Sequence, residues 1–252
     1  MSRPVTLITG ASAGLGAEFA RQCSKRGEAL ALAARRRDRM EALKGALSGE
    51  VHVFEADLSK EGAAAALLAE IEAEGLAVDT LINNAGFGLA GKFETLPGDR
   101  QSEMIDLNVR TLVELCHAVL PGMRVRGTGA ILNIASTAAF QAGPNMAVYY
   151  ASKAFVLSFT EALHHELKGS GIRVSCLCPG PTESEFSTVS GSKSPTLERI
   201  KVPAEPVVRA GLAGLDKGKA IVIPGLPNKL TTQINRIMPR AAMRRIVGNI
   251  KV

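Results

Sequence analysis

Val5-Thr6-Leu7-Ile8-Thr9-Gly10-Ala11-Ser12-Ala13-Gly14-Leu15-Gly16 lies almost at the start of the chain and decides how the rest is read. The apolar run reads as a strand, the glycines as a tight turn, and residues from about 15 to 26 as a helix. Gly10 permits the turn, Gly14 lets backbone approach a pyrophosphate, and Gly16 allows helix and strand to pack closely. The helix N-terminus then offers unpaired N–H groups to an anion. The spacing is G-x-x-x-G-x-G rather than G-x-G-x-x-G, so the strand–turn–helix context, not the glycines alone, marks a dinucleotide site.

Outward from that loop, the apolar period alternates between 2 and 3.6 as far as about residue 223. Strands are expected at 5–9, 29–34, 51–55, 79–83, 130–135, 173–178 and 220–223. Helical patterns over roughly 15–26, 36–47, 60–74, 99–120 and 149–168 separate them. This is the α/β class: a doubly wound, Rossmann-type, seven-stranded parallel sheet with helices on both faces. No Pro-rich linker divides residues 1–225, which read as one nucleotide-binding catalytic domain. Residues 180–202 are polar and begin beyond a strand's C-terminal end. They are either a lid over a site or an ordinary solvent loop.

With 252 residues, 46% apolar and 21% charged, the chain reads as a folded globular protein rather than a disordered, collagenous or disulfide-stapled one. No apolar run reaches membrane-spanning length, and no leader pattern opens the chain, so a cytoplasmic location is expected. Cys23, Cys116, Cys176 and Cys178 lack metal-ligand spacing, so no metal is expected. Eight of the 30 basic residues and none of the 24 acidic ones follow Asp216, leaving 22 basic residues in the body. The net charge of +6 therefore belongs to the C-terminal end, and nucleic acid is not an expected partner. Residues 226–252 form a basic amphipathic tail. It suits packing on a partner subunit or, as the less favoured reading, weak contact with an anionic membrane surface.

The second strand indicates which dinucleotide. A site for NAD usually ends that strand with an acid, whereas here it runs Ala33-Ala34-Arg35-Arg36-Arg37. Arg35 and Arg36 can pair with a 2′-phosphate that a carboxylate would repel, so NADP is expected over NAD. Asp57, after the third strand, either accepts from the adenine amino group or caps the helix that starts near 60.

Tyr149 and Lys153 stand four apart at the start of a helical pattern, on one face. A phenol with a pKa near about 10 exchanges protons poorly at neutral pH. An ammonium beside it favours the phenolate and makes the tyrosine a workable general acid or base. Ser136 ends a strand at the same sheet edge and can hold a substrate oxygen beside that hydroxyl. Asn108, inside a helical run, can bend the helix and extend a proton relay from Lys153 through water.

These residues together resemble the short-chain dehydrogenases/reductases, over residues 4 to about 224. The resemblance makes Asn108, Ser136, Tyr149 and Lys153 a catalytic tetrad, with the Ser-to-Tyr interval of 13 that the family shows. It implies cofactor contacts at Gly10, Ser12, Ala13, Gly14, Leu15, Gly16, Arg35, Arg36, Asp57, Leu58, Asn84, Ala85, Gly86, Tyr149, Lys153, Pro179 and Gly180. Either Ser184 or Thr182 would take the carboxamide. Ala13 stands where many NADP-preferring members carry a basic residue. The implied activity is pro-S hydride transfer between NADP(H) and an apolar ketone, aldehyde or secondary alcohol. Ser136, Phe87, Phe140, Met146, Tyr149 and Phe186 would face that substrate. A homodimer or homotetramer through helices 99–120 and 149–168 is implied as well. The rival reading keeps NADP binding and drops turnover, making the chain a regulatory or scaffold protein.

Overall fold

In the computed structural model, which describes residues 2–192 and 194–249, the strand that carries the glycine loop lies near the middle of the sheet. The elements run β1 (Arg3–Thr9), α1 (Gly14–Lys25), β2 (Leu30–Ala34), α2 (Arg37–Gly45), β3 (Val51–Glu55), α3 (Ala63–Ala73) and β4 (Leu76–Asn83). The second half runs α4 (Gly98–Ile105), α5 (Thr111–Arg126), β5 (Gly129–Ile134), α6 (Ala147–Glu166) and β6 (Ile172–Leu177). Two short helices follow, α7 (Phe186–Ser190) and α8 (Pro195–Arg199), then α9 (Ala204–Asp216), β7 (Ile221–Val222), α10 (Leu226–Ile237) and α11 (Arg240–Gly248).

All seven strands are parallel, in the order β3-β2-β1-β4-β5-β6-β7. Winding reverses between β1 and β4, and a crevice opens there beyond the strands' carboxyl ends. Strands buried on both faces read as continuous apolar runs, and β2, LALAA, is buried throughout. Two apolar layers flank the sheet. Leu7, Leu81, Ile131, Leu115, Val156 and Val174 belong to one, and Ile8, Phe19, Leu32, Ile82, Leu132 and Val208 to the other.

Three expectations are corrected. The fourth strand begins at Leu76 rather than 79, because the start of β1 pairs with it through Arg3 and Leu76. The helix expected over 99–120 is two helices, α4 and α5, joined by a π-helical turn at Asp106–Arg110. Asp57 does not cap α3, whose N-cap is Gly62 in the left-handed region. Its Oδ1 instead accepts from the Ser59 backbone N–H at 3.2 Å and the Ser59 hydroxyl at 2.7 Å.

A buried polar chain fixes the register of the second half. Asn83 Nδ2 donates to Asn133 Oδ1 at 3.0 Å, Asn133 Nδ2 to Thr160 Oγ1 at 3.0 Å, and Thr160 Oγ1 to the Val156 carbonyl at 2.6 Å. Asn83 and Asn133 are register partners on β4 and β5, so the chain clamps α6 onto those strands. Cutting it leaves buried polar groups unpaired. Asn133→Ala is expected to lower unfolding free energy by about 1–3 kcal/mol, read from urea denaturation at unchanged slope.

Candidate active site

The glycine loop is built as the sequence requires. Gly10 and Gly14 take positive φ, at 66° and 53°. A Cβ on Gly16 would fall 2.2 Å from the Gly10 carbonyl oxygen, so α1 meets the turn too closely for any side chain. Thr9 holds the loop to the end of β4: its hydroxyl accepts from the backbone N–H groups of Asn84 and Ala85, each at 3.0 Å. Asn84 Nδ2 returns donors to the carbonyls of Thr9 at 2.9 Å and Gly10 at 3.3 Å. α1 opens with no side-chain cap and no acid in its first turn, which suits an anion at its N-terminus. Beside it lies a cleft of about 420 Å³, with Ser12, Ala13 and Gly14 on one wall and Glu183, Ser184 and Glu185 on the other.

Arg36 reaches back over this loop, donating to the Ser12 hydroxyl at 3.1 and 3.3 Å. Its Nη1 also pairs with Glu185 at 2.8 Å, and Arg39 binds the other oxygen of the same carboxylate. Arg35 lies 3.6 Å from Glu103. Burial raises the Asp57 carboxyl, but hydrogen bonds from Ser59 and the field of Arg35 and Lys60 outweigh it and hold the group below its ordinary value. Leu58 beside it is buried.

The catalytic candidates converge where β4, β5 and α6 meet. The π-helical turn carries Asn108 inward, where its side chain pairs with Phe87 backbone: Oδ1 accepts from N–H at 3.1 Å and Nδ2 donates to the carbonyl at 3.0 Å. Nδ2 also donates to Ser152 Oγ at 3.0 Å. The Asn108 side chain is therefore committed to positioning, and a relay to water would have to leave from the backbone of the π turn. Lys153 is buried, and its Nζ donates to the Ile134 carbonyl at 2.8 Å. A Cβ on Gly86 would lie 2.8 Å from Asn108 Oδ1 and 3.4 Å from Lys153 Nζ, so the Asn-Asn-Ala-Gly turn ends where only glycine leaves room.

The Tyr149 ring centre lies 6.0 Å from Lys153 Nζ, and the Ser136 hydroxyl acts on its phenol. Burial pushes its phenol up to about 12, against the lowering effect of Ser136. The same burial brings the Lys153 ammonium down to about 8. Ser136 itself accepts from the Ala138 N–H at 3.1 Å, which fixes its rotamer. Tyr150 turns away and packs its ring over Gly143.

Facing Tyr149 is an apolar wall. The Phe186 ring centre lies 5.1 Å from that of Tyr149, and a Cβ on Gly88 would touch Phe186 at 2.7 Å and Met146 at 3.1 Å. Phe186, Met146 and Tyr149 are thus brought together. Phe87 is instead buried beneath the Arg100 guanidinium, 4.8 Å from its ring centre, and Phe140 packs on the core. In the segment after β6, Ser184 sits over Gly14, where a Cβ would be 3.0 Å from Ser184 Cβ. Thr182 is used at the base of that segment: its hydroxyl donates to the Gly180 carbonyl at 2.9 Å, and it bridges to Val202. The Pro179 carbonyl accepts from Thr137 N–H at 2.8 Å.

Four residues near the site escaped the sequence reading: Thr9, Glu185, Asn228 and Asn235. Only Thr9 carried a usable signal, its place at the strand end. Asn235 bonds Gln141, and a Cβ on Gly180 would fall 2.5 Å from Asn228 Oδ1, so α10 borders the site. Among the described residues no His, Cys, Asp and Glu group could hold a metal.

The model of the family described as short chain dehydrogenase matches residues 4–194. The chain belongs to that family. It is accordingly an oxidoreductase. An uncharacterized oxidoreductase of Myxococcus xanthus is 32% identical over 253 residues, covering 98% of either chain. The NADP-dependent 3-hydroxy acid dehydrogenase YdfG of Escherichia coli K12 is 37% identical over 193 residues, 73% of this chain and 75% of its own. A solved short-chain dehydrogenase from Sphingobium yanoikuyae, in complex with NADPH, superposes with a TM-score of 0.83 at 32% identity. That match covers 98% of this chain and 96% of the other.

For Lys153, the unfolded chain keeps a proton up to the ordinary value of 10.5, whereas the native site releases it near about 8. Across that window the unfolded state binds more protons, so this group's contribution to stability rises with pH. Wild type is therefore expected to gain unfolding free energy over Lys153→Met as pH climbs from about 8 to about 10.5, read from urea midpoints.

Proposed function

We propose that this short-chain dehydrogenase uses NADP(H) to interconvert an apolar ketone or aldehyde and the corresponding alcohol, with Tyr149 as the general acid and base. The observation that carries this is the half-buried Tyr149, its phenol under the influence of the Ser136 hydroxyl and one helical turn from the buried Lys153, at the carboxyl edge of the sheet. The residues present fit a dinucleotide: two positive-φ glycines, an uncapped helix N-terminus and Arg36 anchored on Ser12 form an anion cradle. When bound, the nicotinamide supplies or accepts the hydride.

The chain's own residues do the rest. Ser136 and Tyr149 hold the substrate oxygen by two hydrogen bonds, and Tyr149 gives or takes its proton. Lys153 brings positive charge and donors to the ribose side of the phenol, and Asn108 holds the Phe87 backbone that borders it. Ser184, over Gly14, is the lid hydroxyl for the carboxamide. Phe186 and Met146 exclude water and select an apolar substituent. Arg36 receives the 2′-phosphate, a role supported by the absence of an acid at Ala34 and by the NADP chemistry in the relatives' names.

Homo-oligomerisation belongs to the same reading, supported by Phe155, exposed on α6 and stacked on Phe159 with ring centres 5.9 Å apart. So does a cytoplasmic location, which four buried free cysteines suit.

Tyr149→Phe is expected to reduce turnover by about 10²–10⁴-fold on a panel of apolar ketones while NADPH binding stays unchanged. Reduced-nicotinamide absorbance and equilibrium titration read the two. Retained turnover would remove Tyr149 from the chemistry. Glu185→Gln is expected to tighten NADPH several-fold and leave NADH unaltered, because the carboxylate no longer competes with the 2′-phosphate for Arg36.

A further inference from the structure

Helix α10 is built inside out. Its inner face is polar: Asn228 Nδ2 donates to the Pro224 carbonyl at 2.8 Å, Thr232 is buried with its hydroxyl on the Lys229 carbonyl at 2.9 Å, and Asn235 bonds Gln141. Its outer face is apolar. Leu226, Leu230, Ile234 and Ile237 are 68%, 57%, 48% and 88% exposed. Their spacing of four, four and three puts all four on one stripe. Water-soluble helices are normally arranged the other way, and rotating this one would break the Asn235–Gln141 hydrogen bond that ties its inner face to the body.

The tail that carries the stripe is cationic. Lys229 on α10 and Arg240, Arg244 and Arg245 on α11 are exposed, and no acid follows Asp216. Ile246 adds a further exposed apolar side chain on α11. A second copy docking stripe to stripe through a two-fold axis would bring these cations against their own images, with no carboxylate on either helix to pair them. A core-like partner would leave them unused. A surface that is apolar below and anionic above uses both features.

We propose that α10 and α11 form a docking surface for an anionic lipid bilayer, lying in the plane of its interface. Leu226, Leu230, Ile234 and Ile237 enter the acyl boundary while Lys229, Arg240, Arg244 and Arg245 meet headgroup phosphates. No described helix is long and apolar enough to cross a membrane, so contact is peripheral. Through its inner face α10 is bonded to Gln141 and packs at Gly180, so the docked helix is tied to the loops at the sheet's carboxyl edge. The argument rests on the stripe and its charges and not on the chemistry proposed for Tyr149.

The test is sedimentation of the full chain with vesicles of phosphatidylcholine alone and of phosphatidylcholine mixed with phosphatidylglycerol. Wild type is expected to bind the mixed vesicles, to ignore the neutral ones and to be released by salt. Arg240→Gln/Arg244→Gln/Arg245→Gln should weaken binding on the order of a hundredfold. Leu230→Ser/Ile234→Ser/Ile237→Ser should abolish it, with turnover of a water-soluble substrate unchanged. Equal binding to both vesicle types, no binding to either, or undiminished binding by the serine variant would overturn the proposal. So would a serine variant that alters only the oligomeric state seen by light scattering, which would assign the stripe to a second copy. The salt dependence of wild type keeps the test decisive if the serine variant does not fold.

Discussion

A buried ammonium is the constraint around which this site is arranged. Lys153 gives up water on every side and receives the Ile134 carbonyl at 2.8 Å. A cation in such a place loses hydration that one carbonyl restores only in part, and its proton is correspondingly loosely held. Its neighbours follow from it. Gly86 has no side chain because one would crowd Nζ and Asn108, and the π turn carries Asn108 inward to bind Phe87 backbone. The polar chain from Asn83 to Thr160 sets α6 against β5, so that Lys153 and Tyr149 arrive beside Ser136. The phenol and the ammonium share one dry place, and burial moves both toward neutrality: Tyr149 up, Lys153 down.

At the other end of the cleft the same economy of charge operates between arginines and the lid. Arg36 and Arg39 share one carboxylate, Glu185, that comes from the opposite wall. These residues are well exposed, so the bridge itself adds little stability. Its consequence is geometric, since it ties the segment after β6 to the end of β2.

Much of this could be read from the chain, and the exceptions have physical causes. Period-2 and period-3.6 runs are local properties, so all seven strands and the helices up to β6 are legible, with 51–55 matched to the residue, whereas α9 between β6 and β7 is not foreseen. The glycine loop and the Tyr149–Lys153 spacing are local too. What failed was long-range. The break in the helix over 99–120 depends on Asn108 finding Phe87, and the early start of β4 on Arg3 pairing with Leu76. Glu185 meets Arg36 across 149 positions, which no window along the sequence can show. Phe87 and Phe140 have the composition of a pocket wall, yet Arg100 covers one and the core takes the other. The amphipathic tail was legible as a pattern, but which face it turns outward depends on Asn228 and Asn235 reaching the Gly180 and Gln141 loops.

Tyr149 and Tyr150 are the only tyrosines, and the chain has no tryptophan. In a Tyr150→Phe background, ultraviolet titration of the tyrosinate band therefore reads Tyr149 alone. Without cofactor the midpoint should lie well above the ordinary 10.0, toward about 12. Addition of NADP⁺ should bring it down, and Lys153→Met should remove that fall, because the lowering requires both positive charges at the phenol. A midpoint that stays the same with and without NADP⁺ while Lys153 is present would contradict the account.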